Sequence, residues 1–432
     1  MNGVQVYFTS SRADRSPKSA VLDLINMACE LSRDTHGIDL HIVQFSVTNK
    51  EIVDLLIKAA LHSNIRSIKI IADWCQGGPG SGRLIPSLEQ LNLPNLLIRY
   101  KKDQPYIYDL ATGSLKWSYK SSRGLLHHKL MILNVEGRPV MAAFGSYNWT
   151  ARADKASYEN LVILHDSLDA TKDVINRFED EFRCLWASPE ATLSGPEAVT
   201  LYSHILDQYA LSPRRHPSTI QTKGIGAGID KIMAFEGYIS TNCDPSSACR
   251  VAFSYRGCDS GACRNGISDM NSSQSFLITK PAGRQKRIPL SLSALSLQVI
   301  HRAVHGDCLK IAMFAFSRRV SEYSAIIDAA RRGVIILILT DKRTSRSLLQ
   351  ELDSIRSLPI KVRTGQMYMH QKYIIHPNSG TVAVGTANFT IDSSRRHSEN
   401  RVIFDGQYAV AKRFEQDFDR IWDRLSQDRI EI

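Results

Sequence analysis

The chain has 432 residues, 43% of them apolar, enough for two or three hydrophobic cores without covalent staples. Its 54 Lys and Arg outweigh 43 Asp and Glu, and the formal charge of +11 favours a polyanionic partner, either nucleic acid or an anionic lipid surface. No run of 18 apolar residues occurs, which excludes a membrane-spanning helix, and no n-region or h-region of a secretory signal opens the chain, so a cytoplasmic protein is the default expectation.

Taken in chain order, the first helix-like segment is Ser19–Ser32. LHIVQFSVTNKEIVDLLIKAA (Leu40–Ala60) then reads as strand, polar turn and amphipathic helix, and RSIKIIADW (Arg66–Trp74) as another strand. Continuous apolar strands around an amphipathic helix predict a sheet covered on both faces. GLLHHKLMILNVEGRPVMAAFGSYNWT (Gly124–Thr150) follows. RFEDEFRCLW then sets Phe178, Phe182 and Trp186 four apart on one helix face, a core-packing stripe.

The next stretch, 187–273, reads as a loop-rich insertion. Its SPRRHPST and KGIGAGID segments suit a linker; Gly224, Gly226 and Gly228 open no strand-to-helix turn and so make no phosphate loop. Cys243, Cys249, Cys258 and Cys263 lack the paired C-x-x-C spacing of zinc ribbons. Two local disulfides are favoured over four free thiols, which would imply an oxidising destination and export.

Beyond the insertion the first pattern returns. LSLQVIHRAVHG (Leu295–Gly306) matches the first helix, and Leu309–Asp341 repeats strand, turn, helix and strand. Gln44-Phe45-Ser46 aligns with Ala315-Phe316-Ser317, and Ala72-Asp73 with Thr340-Asp341. MHQKYIIHPNSGTVAVGTANFT (Met369–Thr390) parallels the stretch at 124–150, and RFEQDFDRIW repeats the stripe with Phe414, Phe418 and Trp422. The reading is therefore two units, 1–186 and 274–432, separated by the insertion 187–273.

The repeat carries an unusual set of polar residues. His127 lies two before Lys129 and 21 before Asn148, and Glu159-Asn160 lies 11 beyond Asn148. His370 lies two before Lys372 and 18 before Asn388, with Glu399-Asn400 again 11 further on. Residues i and i+2 of a strand share a face, so each His and Lys project together while His128 points to the opposite face. Packing the two units about a pseudo-twofold axis would bring both sets into one cleft. Two ammonium groups and two carboxamides suit a phosphodiester, holding its non-bridging oxygens and the charge of five-coordinate phosphorus. One imidazole would attack phosphorus; the other would protonate the leaving oxygen and then activate water. Glu159 and Glu399 are candidates for orienting the imidazoles. Ser146 and Thr386 are placed either to hold phosphate or an asparagine, or to complete a turn. Arg152 and Lys155 after the first Asn, and Arg395 and Arg396 after the second, are expected to track a phosphate backbone. No H-E-x-x-H, carboxylate cluster or C-x-x-C pair points to a metal, and no cofactor is expected.

These motifs resemble the phospholipase D superfamily, whose signature is HxKxxxxD followed by GSxN, twice per active site. The resemblance covers both units. It implies an α/β fold in which each unit is a mixed β-sheet flanked by helices, with one shared active site working without metal through a phosphohistidine. It further implies that His127 is the nucleophile and His370 the acid/base. The sequence departs at the signature aspartate, where Asn134 and Pro377 stand. GSYNWTARADKASYEN and GTANFTIDSSRRHSEN look most like the branch of phospholipase D-type nucleases and mitochondrial cardiolipin hydrolase. The G-[ST]-x-N-x-D-x-R-S pattern of phospholipid synthases is absent. The expectation is a monomeric, metal-independent nuclease. The alternatives are a phospholipase D or phosphatidyl transferase acting on anionic phospholipid, and an inactive nucleic-acid-binding module.

Overall fold

Apolar runs with hardly a solvent-facing position build two sheets. A computed structural model describes residues 3–10, 15–31, 37–77, 82–102, 106–109, 114–117, 124–187, 192–193, 249–254, 275–279, 285–289, 291–353, 355 and 357–427. The first sheet comprises β1 (Val4–Phe8), β2 (Ile38–Gln44), β3 (Ile65–Asp73), β4 (Leu96–Lys101), β5 (Lys129–Val135), β6 (Arg138–Gly145), β7 (Asn160–His165) and β8 (Thr192–Leu193). Their order is β1-β7-β6-β5-β2-β3-β4-β8. β2, β3 and β4 run parallel, linked by helical crossovers, and the remaining pairs are antiparallel.

The second sheet repeats this plan with β9 (Cys249–Phe253), β10 (Cys308–Met313), β11 (Ile335–Thr340), β12 (Ile360–Thr364), β13 (Lys372–His376), β14 (Thr381–Gly385) and β15 (Asn400–Phe404). Their order is β9-β15-β14-β13-β10-β11-β12. All seven residues of β2 and all five of β13 are buried, as strands covered on both faces must be.

Three layers of helix do the covering. On the outer face of the first sheet, α1 (Pro17–Glu30) and α2 (Lys50–Ala60) bury Leu24, Ile25, Ile52 and Leu56 against Ile42, Ile70 and Leu133. On the outer face of the second, α4 (Leu292–Arg302) and α5 (Ser321–Arg331) do the same with Leu295, Val299 and Ile326 against Ile311 and Ile336. Ser16, Asn49 and Ser291 cap these helices by accepting from Ser19, Ile52 and Ala294 N–H groups.

Between the sheets lie the two stripe helices, α3 (Asp169–Ala187) and α6 (Tyr408–Gln427), in one core shared by both units. The packing is crossed. Phe8 of the first sheet meets Phe414 of α6 edge-on at 5.2 Å, and Phe253 of the second meets Phe178 of α3 at 5.6 Å. Each such buried Phe contributes roughly 1.5–3 kcal/mol.

Two sequence readings change. Residues 249–253, placed within the insertion, form β9 and pair with β15 as β1 pairs with β7. The match was hidden because residues 9–16 join β1 to α1, whereas residues 254–291 separate β9 from α4. Cys249 is the first residue of β9 and is buried; Cys243, Cys258 and Cys263, with which it was grouped, lie outside the described residues. The alignment at Phe45 also moves by two. Lys129 pairs with Gln44 and Lys372 with Met313, so Gln44 corresponds to Met313 and Phe45 to Phe314. A slip of two residues keeps every side chain on its own face, so the hydrophobic pattern cannot detect it.

The other face of the His-x-Lys strands feeds a buried polar layer. His128 Nε2 lies 3.4 Å from Glu181 of α3, and Gln371 Nε2 donates to Asp417 of α6 at 2.8 Å. Burial pushes the Asp417 carboxyl up to about 6, against the hydrogen bonds from Ser10 and Gln371. A raised carboxyl means stability that is fully present below pH 4 and lost as pH rises through about 6. Asp417→Asn should therefore leave stability at pH 3.5 nearly unchanged and raise it at pH 8 by roughly 2–3 kcal/mol. Urea unfolding at the two pH values checks this; an equal effect at both would contradict it.

Candidate active site

Each residue of the G-[ST]-x-N-aromatic-Thr segment has a local reason. A Cβ on Gly145, where φ is +151°, would sit 2.5 Å from the Asn160 carbonyl oxygen; one on Gly385 would sit 2.2 Å from that of Asn400. The hydroxyls of Ser146 and Thr386 accept from the backbone N–H of Asn160 and Asn400, each at 2.9 Å. Trp149 and Phe389 are buried, bridging to Val47 and Phe316. Thr150 and Thr390 cap the short helices Ala151–Ala156 and Ile391–Arg395. This scaffolding leaves Asn148 and Asn388 half-buried. Asn388 Oδ1 accepts from Ala315 N at 3.1 Å, which directs its amide NH2 away from the backbone.

The units meet at the histidines. His127 N donates to Ser398 O at 3.0 Å, and His370 N to Tyr158 O at 3.1 Å. Tyr368–Met369 pairs in parallel with Ser157–Tyr158. The side chains cross as well. His127 Nδ1 lies 2.9 Å from Glu399, in the other unit, and His370 Nδ1 lies 2.8 Å from Glu159, again in the other unit. Lys129 Nζ donates to His127 O at 2.8 Å, and Lys372 Nζ likewise to His370 O. An Nδ1–H donated to a carboxylate leaves the lone pair on Nε2.

Burial governs the charges. It holds His127 well below the usual imidazole range, although Glu399 pulls upward, and it lowers His370 similarly against Glu159. Burial works to raise Glu399, but the His127 and His397 rings outweigh it and the carboxyl falls well below its ordinary range. Burial brings Lys129 down to about 7 and Lys372 to about 8, each partly offset by the glutamates. An anion entering the site restores these ammonium charges.

The structure thus gathers His127, Lys129, His370, Lys372, Glu159 and Glu399. Ser146 and Thr386 are fully buried and spent on the backbone, so their hydroxyls serve the turn and do not line an open cleft. Arg152 and Lys155 are exposed, and Arg152 lies over the Tyr368 ring at 5.3 Å. Arg396 pairs with Asp392 at 2.8 Å; the Arg395 side chain lies outside the described residues. Asn134 sits five residues beyond Lys129, where its Nδ2 faces His41 at 3.2 Å and Glu179 at 3.4 Å. Pro377 opens a turn beside which Asp307 binds His376 at 3.1 Å. In both copies a carboxylate from elsewhere stands near the position that lacks the signature aspartate.

Four neighbours were missed. Phe45 and Phe314 lie edge-on to His127 and His370 at 5.1 and 4.9 Å, with Lys129 and Lys372 over them at 5.1 and 5.2 Å. Correct strand register would have matched them. Arg343 stacks on Tyr368 at 3.8 Å, two residues before His370. His397 lies beside His127, ring centroids 5.8 Å apart, and has no counterpart in the first copy to flag it. The ligand atoms of His127, His397 and Glu399 all lie within 4.8 Å of one another, close enough to hold a metal ion.

The crossing makes a specific prediction. Glu399→Gln should shift the imidazole NMR resonances of His127 and leave those of His370 in place; Glu159→Gln should do the reverse. Shifts confined to the histidine of the same unit would contradict the crossed arrangement.

With this geometry in view, comparisons with known proteins agree. The family described as "Cardiolipin synthase, PLD-like domain" matches residues 28–186 and 297–422. Mitochondrial cardiolipin hydrolase of Xenopus tropicalis is 30% identical over 117 residues, 26% of this chain and 54% of that protein. The Xenopus laevis protein of the same name is 27% identical over 139 residues, 32% of this chain and 64% of that protein. The chain thus spans between about half and two thirds of the length of these relatives. The crystal structure of phosphatidylserine synthase from Haemophilus influenzae Rd KW20 superposes with a TM-score of 0.57 at 12% identity, covering 97% of this chain and 86% of that one, a likeness of fold. Two matched copies of the family domain, joined by crossed histidine–glutamate pairs, make this chain a member of the phospholipase D superfamily.

Proposed function

We propose that the chain hydrolyses phosphodiesters without a metal, through a phosphohistidine, and that its substrate is nucleic acid. The crossed imidazole–carboxylate pairs carry this reading. Each supplies a ring whose Nε2 is free to act while Nδ1 is held. His127, kept neutral by its deep burial, attacks phosphorus through Nε2 and forms the P–N bond. His370 gives its proton to the leaving oxygen as the P–O bond breaks. His370 then takes a proton from water, the water oxygen attacks phosphorus, and the P–N bond breaks to free His127. Lys129, Lys372, Asn148 and Asn388 hold the non-bridging oxygens through both five-coordinate states.

Burial lowers both His127 and His370 below the ordinary imidazole range, while the mechanism needs the first neutral and the second protonated. A bell-shaped kcat/KM with an optimum below about pH 6.5 follows. The basic surplus, exposed Arg152 and Lys155, and the Arg152–Tyr368–Arg343 stack beside His370 support nucleic acid, since guanidinium and aromatic groups bind phosphates and bases together. Phospholipid is the second reading. The names of the matched relatives favour it, and the same cations attract anionic headgroups.

Single- and double-stranded DNA and RNA should be cleaved, in EDTA as well as without it. Cleavage should weaken with salt by roughly 0.7–0.9 log units per log unit for each phosphate contacted. His127→Ala and His370→Ala should each lower turnover by roughly 10³-fold or more. Headgroup release from cardiolipin or phosphatidylglycerol vesicles, with no nucleic-acid cleavage at any salt, would replace the nuclease reading by the phospholipase one.

A further inference from the structure

The two halves of the site differ at one position. Two residues before Glu159 stands Ser157; two residues before Glu399 stands His397. Glu399 therefore faces two imidazoles, with His127 Nδ1 at 3.0 Å and His397 Nδ1 at 3.4 Å from Oε1. Ser393 Oγ donates to the same oxygen at 3.0 Å. The His397 contact lacks hydrogen-bond geometry, and among the described residues this buried nitrogen has no hydrogen-bond partner. An unpartnered imidazole nitrogen beside a fully buried carboxylate needs an explanation.

We propose that His127, His397 and Glu399 form a binding site for one zinc-class divalent ion per chain, and that the bound ion switches the site off. A tetrahedral ion held at about 2.0–2.1 Å by each ligand requires ligand atoms about 3.4 Å apart. The separations of 3.0 and 3.4 Å to Glu399 Oε1, and the grouping of all three within 4.8 Å, approach that spacing with little movement. Two imidazoles and one carboxylate leave a fourth position for water, and the His397 side chain is 15% exposed. The ammonium groups of Lys129 and Lys372 oppose any dication. Only an ion with strong affinity for imidazole overcomes them, which selects zinc over magnesium.

The switch follows from the tautomer. Unligated, His127 carries its proton on Nδ1 and its lone pair on Nε2. An ion binds Nδ1 only when the proton there leaves; that proton passes to solvent and one is taken up on Nε2. The nitrogen that would attack phosphorus is then blocked by a proton, and Glu399 is withdrawn from its orienting role. Inhibition rests on the phosphodiesterase reading; ion binding does not.

Calorimetric titration of the full chain with ZnCl₂ in a non-coordinating buffer should give one site, absent with MgCl₂. Zn²⁺ should shift the ring resonances of His127 and His397 but not those of His370. His397→Ser, which copies the first half-site, should weaken binding at least tenfold. Inhibition of phosphodiester cleavage, scored against each variant's own metal-free rate, should weaken in parallel and reverse with EDTA. No binding, unchanged binding in His397→Ser, or resonance shifts at other histidines would overturn the site, even if that variant folds poorly. Binding without inhibition would overturn the switch, and absence of any cleavage would bear on the phosphodiesterase reading alone.

Discussion

His127 and His370 each depend on a glutamate that belongs to the other half of the chain. His127 leans on Glu399 and His370 on Glu159, at 2.9 and 2.8 Å. Neither His127 nor His370 takes its carboxylate from its own half. The chemistry therefore exists only if two sheets from distant parts of the sequence dock in one register. A carboxylate at hydrogen-bond distance loses its orienting power with a shift of an ångström, so the interface must be stiff.

The middle layer supplies that stiffness. α3 and α6 are wedged between the sheets, and the crossed contacts Phe8–Phe414 and Phe178–Phe253 lock each helix to the opposite unit's edge strand. Backbone bonds finish the alignment at the site itself, where His127 N and His370 N each donate across the interface. The same His-x-Lys strands serve both purposes. Alternate residues point toward the histidine–glutamate cluster or toward the polar layer of His128, Gln371, Glu181 and Asp417. Moving the strand by one residue would exchange the two sets and destroy both.

So many buried charges are costly, and the structure shows how the cost is contained. The lysine ammonium groups are lowered toward neutrality until an anion arrives, and burial lowers both imidazoles. Each glutamate lies at hydrogen-bond distance from an imidazole nitrogen, and the rings of His127 and His397 hold the Glu399 carboxyl well below its ordinary range. The absent signature aspartates fit the same economy. Asn134 and Pro377 lie at the far ends of their strands, where Glu179 and Asp307 supply carboxylates from other elements. Substitution there leaves the histidine–glutamate pairs in place because those ends do not touch them.

Much of this was legible in the linear sequence. Duplication of His-x-Lys and of the Gly-to-Thr segment at matched spacing was enough to single out His127, Lys129, Asn148, His370, Lys372 and Asn388 as candidates, and strand periodicity determines that each His and Lys share a face. The aromatic stripes were legible as core for the same local reason. Which glutamate serves which histidine was not, since equal spacing of 11 residues in both halves cannot distinguish pairing within a unit from pairing across units. Nor was β9, separated from its own helix by residues 254–291, nor the match of Phe45 with Phe314, because a two-residue slip preserves the strand pattern. His397 had no repeat to mark it. Periodicity and repetition are properties of the chain and can be read from it; register, cross-unit pairing and the meeting of two imidazoles on one carboxylate arise only when the sheets dock.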